Sequence, residues 1–182
     1  MKKIIVGFLA VMAMTTTLHA QTEKGDWMVG GNIAISTATN NSEFAIQPMG
    51  GYFVANNFVI GASVVLDFQK TGDTKYSVVS AGPFARYYIN IKNSNFKPFF
   101  HAEYDLGNQV TTTPIAKTNN TTGKFLLGAG GAFFINQNVA LEAIAGYAHT
   151  KVQGSPVENG FFFRLGFQVH LLGSEVERVR GK

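Results

Sequence analysis

The stretch Gly160–Leu172, GFFFRLGFQVHLL, constrains the fold more than any other part of the chain. A strand sends successive side chains to opposite faces. Phe161, Phe163, Leu165, Phe167, Val169 and Leu171 then form one wholly apolar face. Phe162, Arg164, Gly166, Gln168, His170 and Leu172 form the other, which is mostly polar. Six apolar residues in a row do not face water. Either they cover a soluble core and the polar face is solvated, or they face lipid and the polar face is a packed interior.

The same alternation recurs along the chain. It predicts strands at about Asp26–Ser36, Glu43–Phe53, Phe58–Gln69, Tyr76–Ile89, Phe96–Leu106, Lys124–Ile135 and Val139–Ala148, with Gly160–Leu172 as the eighth. Tight Asn-rich turns at 55–57 and 136–138 alternate with longer polar stretches at 70–75, 107–123 and 149–159. An even number of ten-residue strands joined by alternating short and long connections is the pattern of an up-and-down membrane barrel.

The charges choose between the two readings. Asp26, Glu43, Asp67, Arg86, Lys97, Glu103, Asp105, Lys124, Glu142 and Arg164 all fall on the face opposite the apolar one. A soluble eight-stranded barrel would show the reverse, with charges outside and an apolar lumen. Arg or Lys facing lipid at the bilayer midplane costs about 2–4 kcal/mol, which gives the exclusion a cause. Closure into a barrel follows, because an open edge leaves backbone groups unsatisfied in hydrocarbon. The predicted class is all-β, an eight-stranded antiparallel up-and-down transmembrane β-barrel. Trp27, Tyr52, Phe58, Tyr87 and Phe133 are expected at one membrane interface, and Phe44, Phe68, Tyr104, Phe125, Tyr147 and Phe161 at the other.

The amino end fits an exported protein. Lys2 and Lys3 precede an apolar run, Ile4–Met14, and the stretch Thr15–Ala20 ends in a small residue, with Leu18 at the minus-three position larger than ideal. Residues 1–20 read as a secretory signal peptide cleaved after Ala20, too short to span a bilayer as a mature helix. Its loss would lower the formal charge from +4 to about +2. No basic stripe suggests nucleic acid, and the absence of cysteine excludes disulfides and thiolate metal sites. The expected organisation is residues 1–20 signal, 21–172 barrel and 173–182 a periplasmic tail.

Three segments carry a family resemblance: PMGGYFVANNFVIG at 48–61, GPFARYY at 82–88 and KPFF at 97–100. They resemble the small outer-membrane β-barrel proteins of Bacteroidetes-type bacteria, the OmpX/OmpA-like "porin family" barrel domain, over about Asp26–Leu172. The resemblance implies location in the outer membrane, contact with outer-membrane lipid and assembly by the barrel-insertion machinery. Such barrels end in an aromatic-terminated strand; here the last strand ends at Leu172 and a tail follows.

The lumen of an eight-stranded barrel is just wide enough for side chains to fill it. Asp67, Arg86, His101, Glu103, Asp105, Glu142, Arg164 and His170 are therefore expected to form an interior polar network on two levels, with Asp67, Glu103, Asp105 and Arg164 toward the outer half, Arg86, Glu142 and His170 toward the periplasmic half, and Arg86 and Arg164 as hubs. This favours a structural or surface-interaction role, with a surface ligand met by loops 107–123 and 149–159. A narrow channel or carrier for a small solute is the alternative. A lipid-modifying enzyme is the third reading, with His149, Ser155 and Glu158 as its nearest candidates; Lys151 stands where a deacylase pattern would want Ser. The histidines lack zinc-site spacing, so the expectation is no catalytic residue, no cofactor and no metal.

Overall fold

A computed structural model describes residues 22–38, 40–92 and 94–173. The segment 1–20 expected to be a signal peptide, and the expected tail beyond Gly173, lie outside the described residues. Eight strands form a closed barrel in which each pairs with its sequence neighbours and the last with the first. They are β1 (Trp27–Ala38), β2 (Asn41–Ala55), β3 (Phe58–Thr71), β4 (Thr74–Tyr88), β5 (Phe96–Thr112), β6 (Lys117–Phe134), β7 (Val139–Val152) and β8 (Glu158–Leu171). Every pair is antiparallel.

The strands are longer than their sequence pattern predicts, at 12–18 residues against the expected ten. The largest correction concerns 107–123. It is not a loop: β5 runs to Thr112, β6 begins at Lys117, and only 113–116 turn the chain. Thr111 pairs with Thr118, Val110 with Asn119 and Gln109 with Asn120. Thr and Val favour extended backbone. Above the membrane the ladder continues without an apolar outer face, so the alternation that reveals a strand disappears. The same holds at 149–159, where β7 extends to Val152, β8 starts at Glu158 and only 153–157 connect them. Gly72 and Asp73 alone join β3 to β4, with Gly72 at φ 58°. The long connections expected at this end are thus strand extensions. We call it the distal end; the start of β1 and the end of β8 lie at the other, the terminal end.

The outward face is apolar between two aromatic belts built as cross-strand pairs. At the terminal end Trp27 pairs with Tyr52, their rings edge-on at 5.1 Å. At the distal end Tyr147 pairs with Phe161 at 5.7 Å, Phe44 with Phe68, and Tyr104 with Phe125. Outward charges begin only beyond the distal belt, at Lys70, Lys75, Lys117 and Lys151, all exposed. Lys70 and Lys75 are register partners. The lysines and the belt together mark where the hydrocarbon ends.

Candidate functional site: the barrel interior

The interior is layered. At the terminal end the lumen is filled by apolar side chains, namely Met28, Phe53, Val59, Tyr88, Phe99, Phe134 and Ala140, all essentially inaccessible. His170 packs within this layer. Its ring lies 5.1 Å from Phe134, 5.6 Å from Phe53 and 5.9 Å from Tyr88. A packed polar interior was expected; this half is instead a dense, mainly apolar plug in which Lys97, Gln168 and His170 are also buried. The physical reason is that a lumen too narrow for water favours close packing, which aromatic rings supply.

Above the plug runs an ionic belt centred on Arg86, which is 1% exposed. Its Nη1 donates to Glu142 Oε2 at 2.6 Å and to the Tyr88 hydroxyl at 3.1 Å, and its Nε donates to His101 Nδ1 at 3.3 Å. The guanidinium also stands 4.3 Å from the Phe99 ring centre. Tyr88 in turn donates to Glu142 Oε1 at 3.0 Å. Because His101 Nδ1 accepts from Arg86, the proton of the neutral ring is assigned to Nε2, which faces Glu103 Oε2 at 2.9 Å. Gln47 Nε2 donates to the other Glu103 oxygen, and Arg164 Nη1 donates to Gln47 Oε1. The belt thus reads Glu142–Arg86–His101–Glu103–Gln47–Arg164 and crosses β7, β4, β5, β2 and β8.

Phe99 reaches its place beneath Arg86 because Gly130 faces it. A Cβ at Gly130 would come 2.5 Å from Phe99 Cζ and collide with the Ala143 carbonyl oxygen. Close approach, not turn geometry, demands this glycine.

The distal half is open. A vestibule of about 640 Å³ is lined by Asp67, Ser80, Asp105, Gln109, Thr122, Lys124 and Glu158 among others. Asp105 accepts from Ser63 Oγ at 3.3 Å, while its Oδ2, like Asp67 Oδ1, has no hydrogen-bond partner. Of the eight residues expected in the interior polar network, four (Arg86, His101, Glu103 and Glu142) lie in direct contact in the belt, and Arg164 joins through Gln47. Asp67 and Asp105 line the vestibule, and His170 is in the plug. Gln47, Asn32, Tyr88 and the two methionines facing Arg86 were not singled out from the sequence. All lie on inward-facing positions, so counting polar and aromatic residues on that face, and not charges alone, would have found them.

Neither ring nitrogen of His101 is available as a base, since one accepts from Arg86 and the other faces Glu103. His149, Ser155 and Glu158 do not form a catalytic set. His149 points outward and its Nδ1 pairs with Asn159 Oδ1 at 2.8 Å, whereas Ser155 and Glu158 line the vestibule. Among the described residues no three His, Asp or Glu side chains are grouped to hold a metal ion.

A family model described as outer membrane protein beta-barrel domain matches residues 6–171. Among solved structures, Neisserial surface protein A is similar at 19% identity with a TM-score of 0.63, covering 80% of this chain and 97% of that one. The amino-terminal β-barrel domain of Pseudomonas aeruginosa OprF is similar at 12% identity and a TM-score of 0.54, covering 81% and 98%. The attachment invasion locus protein Ail of Yersinia pestis is similar at 15% identity and a TM-score of 0.51, covering 81% and 99%. At these identities the likeness is one of fold. No curated protein matches the sequence.

Proposed function

Since the chain belongs to the outer membrane protein β-barrel domain family and is located in the outer membrane, we propose that it is a sealed scaffold presenting a binding surface to the outside. The observation that carries this reading is the asymmetry of the lumen. The terminal half is filled by the plug and the belt, while the distal half opens as the vestibule. With the termini in the periplasm, the open half and the projecting β5–β6 hairpin face the exterior. Binding sites tend to lie on exposed segments held by a rigid scaffold, and the hairpin tip at 109–120 and the 153–157 turn are the segments so held. The name of the Yersinia relative, an attachment protein, agrees with a surface role. Outward Lys70, Lys75, Lys117 and Lys151 would meet anionic groups of the outer-leaflet lipid. The end of β8 is the segment offered to the insertion machinery.

The second reading is a narrow path for a small solute, and the vestibule favours it. The experiment that separates the two is conductance of the refolded mature protein in planar bilayers. The sealed scaffold gives no stepwise current above the bare membrane. Reproducible ohmic steps would overturn it in favour of the solute path.

A further inference from the structure

The barrel is not zipped evenly. β1 pairs with β8 only from Trp27–Leu171 to Ile33–Leu165. Continued in register, the next rungs would set Ala34 opposite Arg164 and Ile35 opposite Phe163, and so on to Ala38 and Gly160, but these positions do not pair with each other. Both strands are fully paired on their other sides there, Ile35 with Phe44 and Phe163 with Ala145. The unpaired stretch rises about 13 Å along the membrane normal, for a strand rise of ~3.4 Å and a tilt of ~40°. It starts below the distal belt, because Phe163 lies one outward position beneath Phe161. Its first rungs, at Ala34–Ile35 and Phe163–Arg164, therefore open the wall at the outer edge of the apolar band, and the rest continues through the belt. Irregular backbone at that depth is tolerated only where it lines a cavity.

Such a cavity is present. A space of about 360 Å³ is bounded on one side by outward-facing Ile33, Ile35, Phe161, Phe163 and Leu165, drawn only from β1 and β8. On the other side it meets inward-facing Gln47, Asp67, Lys124 and Arg164. It therefore passes through the wall and joins the lipid face to the polar interior. Phe161, at 90% exposed, and Ile35, at 73%, are the most exposed of the apolar residues on this mouth. Arg164 stands at the first unpaired rung. Among the described residues, its five N–H donors make one hydrogen bond, to Gln47, and the guanidinium stands 5.2 Å from the Phe162 ring centre. Neither Arg164 nor Lys124 has a carboxylate within ion-pair distance among the described residues.

We propose that this seam is a lateral mouth that binds a long-chain fatty carboxylate from the outer leaflet. The carboxylate enters to meet the spare donors of Arg164, with Lys124 deeper inside, and the chain lies against Ile35, Phe161 and Phe163 in the lipid. At ~30 Å³ per water the space holds roughly a dozen waters, enough for the head and the first methylenes but not a whole lipid. Arg164 and Lys124 favour an anionic head, while Glu43 and Asp67 on the same cavity balance their charge and limit the head to a single negative charge.

The test uses the full mature protein refolded in zwitterionic phosphatidylcholine vesicles and palmitate carrying a mid-chain diazirine. After irradiation, adducts are mapped by mass spectrometry and competed with palmitate, hexadecanol or hexadecyltrimethylammonium. The expected result is labelling concentrated on peptides holding Ile35, Phe161 and Phe163, displaced by palmitate at least tenfold better than by either other chain. Arg164→Gln removes that preference. The double variant Ile35→Cys with Phe163→Cys, in a chain otherwise free of cysteine, loses the labelling when oxidised and regains it when reduced. Heat-modified gel mobility confirms that each variant is folded. Labelling spread evenly around the lipid face, or equal competition by all three chains, overturns the proposal. So does an unchanged palmitate preference in Arg164→Gln, whether or not the cysteine variant folds.

Discussion

Glu142→Gln isolates the charge that holds the belt together. The substitution keeps the side-chain volume and leaves a polar partner for Tyr88, but it removes the anion 2.6 Å from Arg86. Both side chains are essentially without solvent contact, so water cannot take the place of the lost carboxylate. Removing one partner of a buried pair costs about 3–5 kcal/mol, mostly because the other charge is left uncompensated. Arg86 keeps His101, Tyr88 and the Phe99 ring, which places the expected loss near the lower limit, at about 3 kcal/mol. With a urea dependence of ~2 kcal/mol per molar, the unfolding midpoint should fall by about 1.5 M. The assay is urea unfolding in lipid vesicles followed by fluorescence of Trp27, the sole tryptophan, which leaves its contact with Tyr52 when the barrel opens. A double-mutant cycle supplies the stringent test. Arg86→Met strands the carboxylate just as Glu142→Gln strands the guanidinium, whereas the double variant strands neither. The double variant should thus be more stable than the summed single losses predict, by about 2 kcal/mol. Additivity within ~0.5 kcal/mol would refute the argument that these two groups compensate each other.

Two further outcomes are expected in the same assay. Val64→Arg, on the lipid face midway along β3 between the aromatic belts, should cost about 2–4 kcal/mol. Gln69→Arg, which lines the vestibule, should stay within ~0.5 kcal/mol of the parent. Asn57 turns β2 into β3 at φ 64°, a left-handed conformation that costs other L-residues about 1–2 kcal/mol. Asn57→Ala should lose that amount, while Asn57→Gly should lose less; equal losses would trace the effect to the hydrogen bond from Thr22 to the Asn57 side chain.

The lipid-facing half of the structure was legible because hydrocarbon imposes a strict rule. Every second residue of β8 from Phe161 to Leu171 had to be apolar, and the period of two located the strand, its faces and the barrel. The rule lapses above the distal belt, and so did legibility. Thr111, Thr118 and Asn120 carry no alternation, so the β5–β6 hairpin read as a loop. The interior was half legible. Strand parity placed Arg86, Glu142 and His101 inside, and counting from the strand ends gave two rough levels, but neither shows which side chains touch. Phe99, Tyr88 and Phe134 sit at the same level only because of the cross-strand register, which links residues 46 positions apart. The seam was invisible for a related reason. Ile35 and Phe163 lie on well-formed strands, and nothing local to either states whether the first strand and the last meet.

The layering links permeability and stability in the same residues. The plug keeps water from the belt, which strengthens each interaction of Arg86 and raises the cost of leaving it unpaired. Arg86 also touches Met28, Met49, His101 and Glu142, residues from β1, β2, β5 and β7, so it cannot swing aside without loosening most of the wall. A gate at the belt would thus have to open against much of the barrel's own cohesion. The vestibule and the β1–β8 seam carry no such penalty, because Asp67, Lys124 and Arg164 lie where side chains are only partly packed. Changes that alter what this protein binds are therefore expected at the vestibule and the seam, while changes at Arg86, Glu142 or Phe99 are expected to register as lost stability.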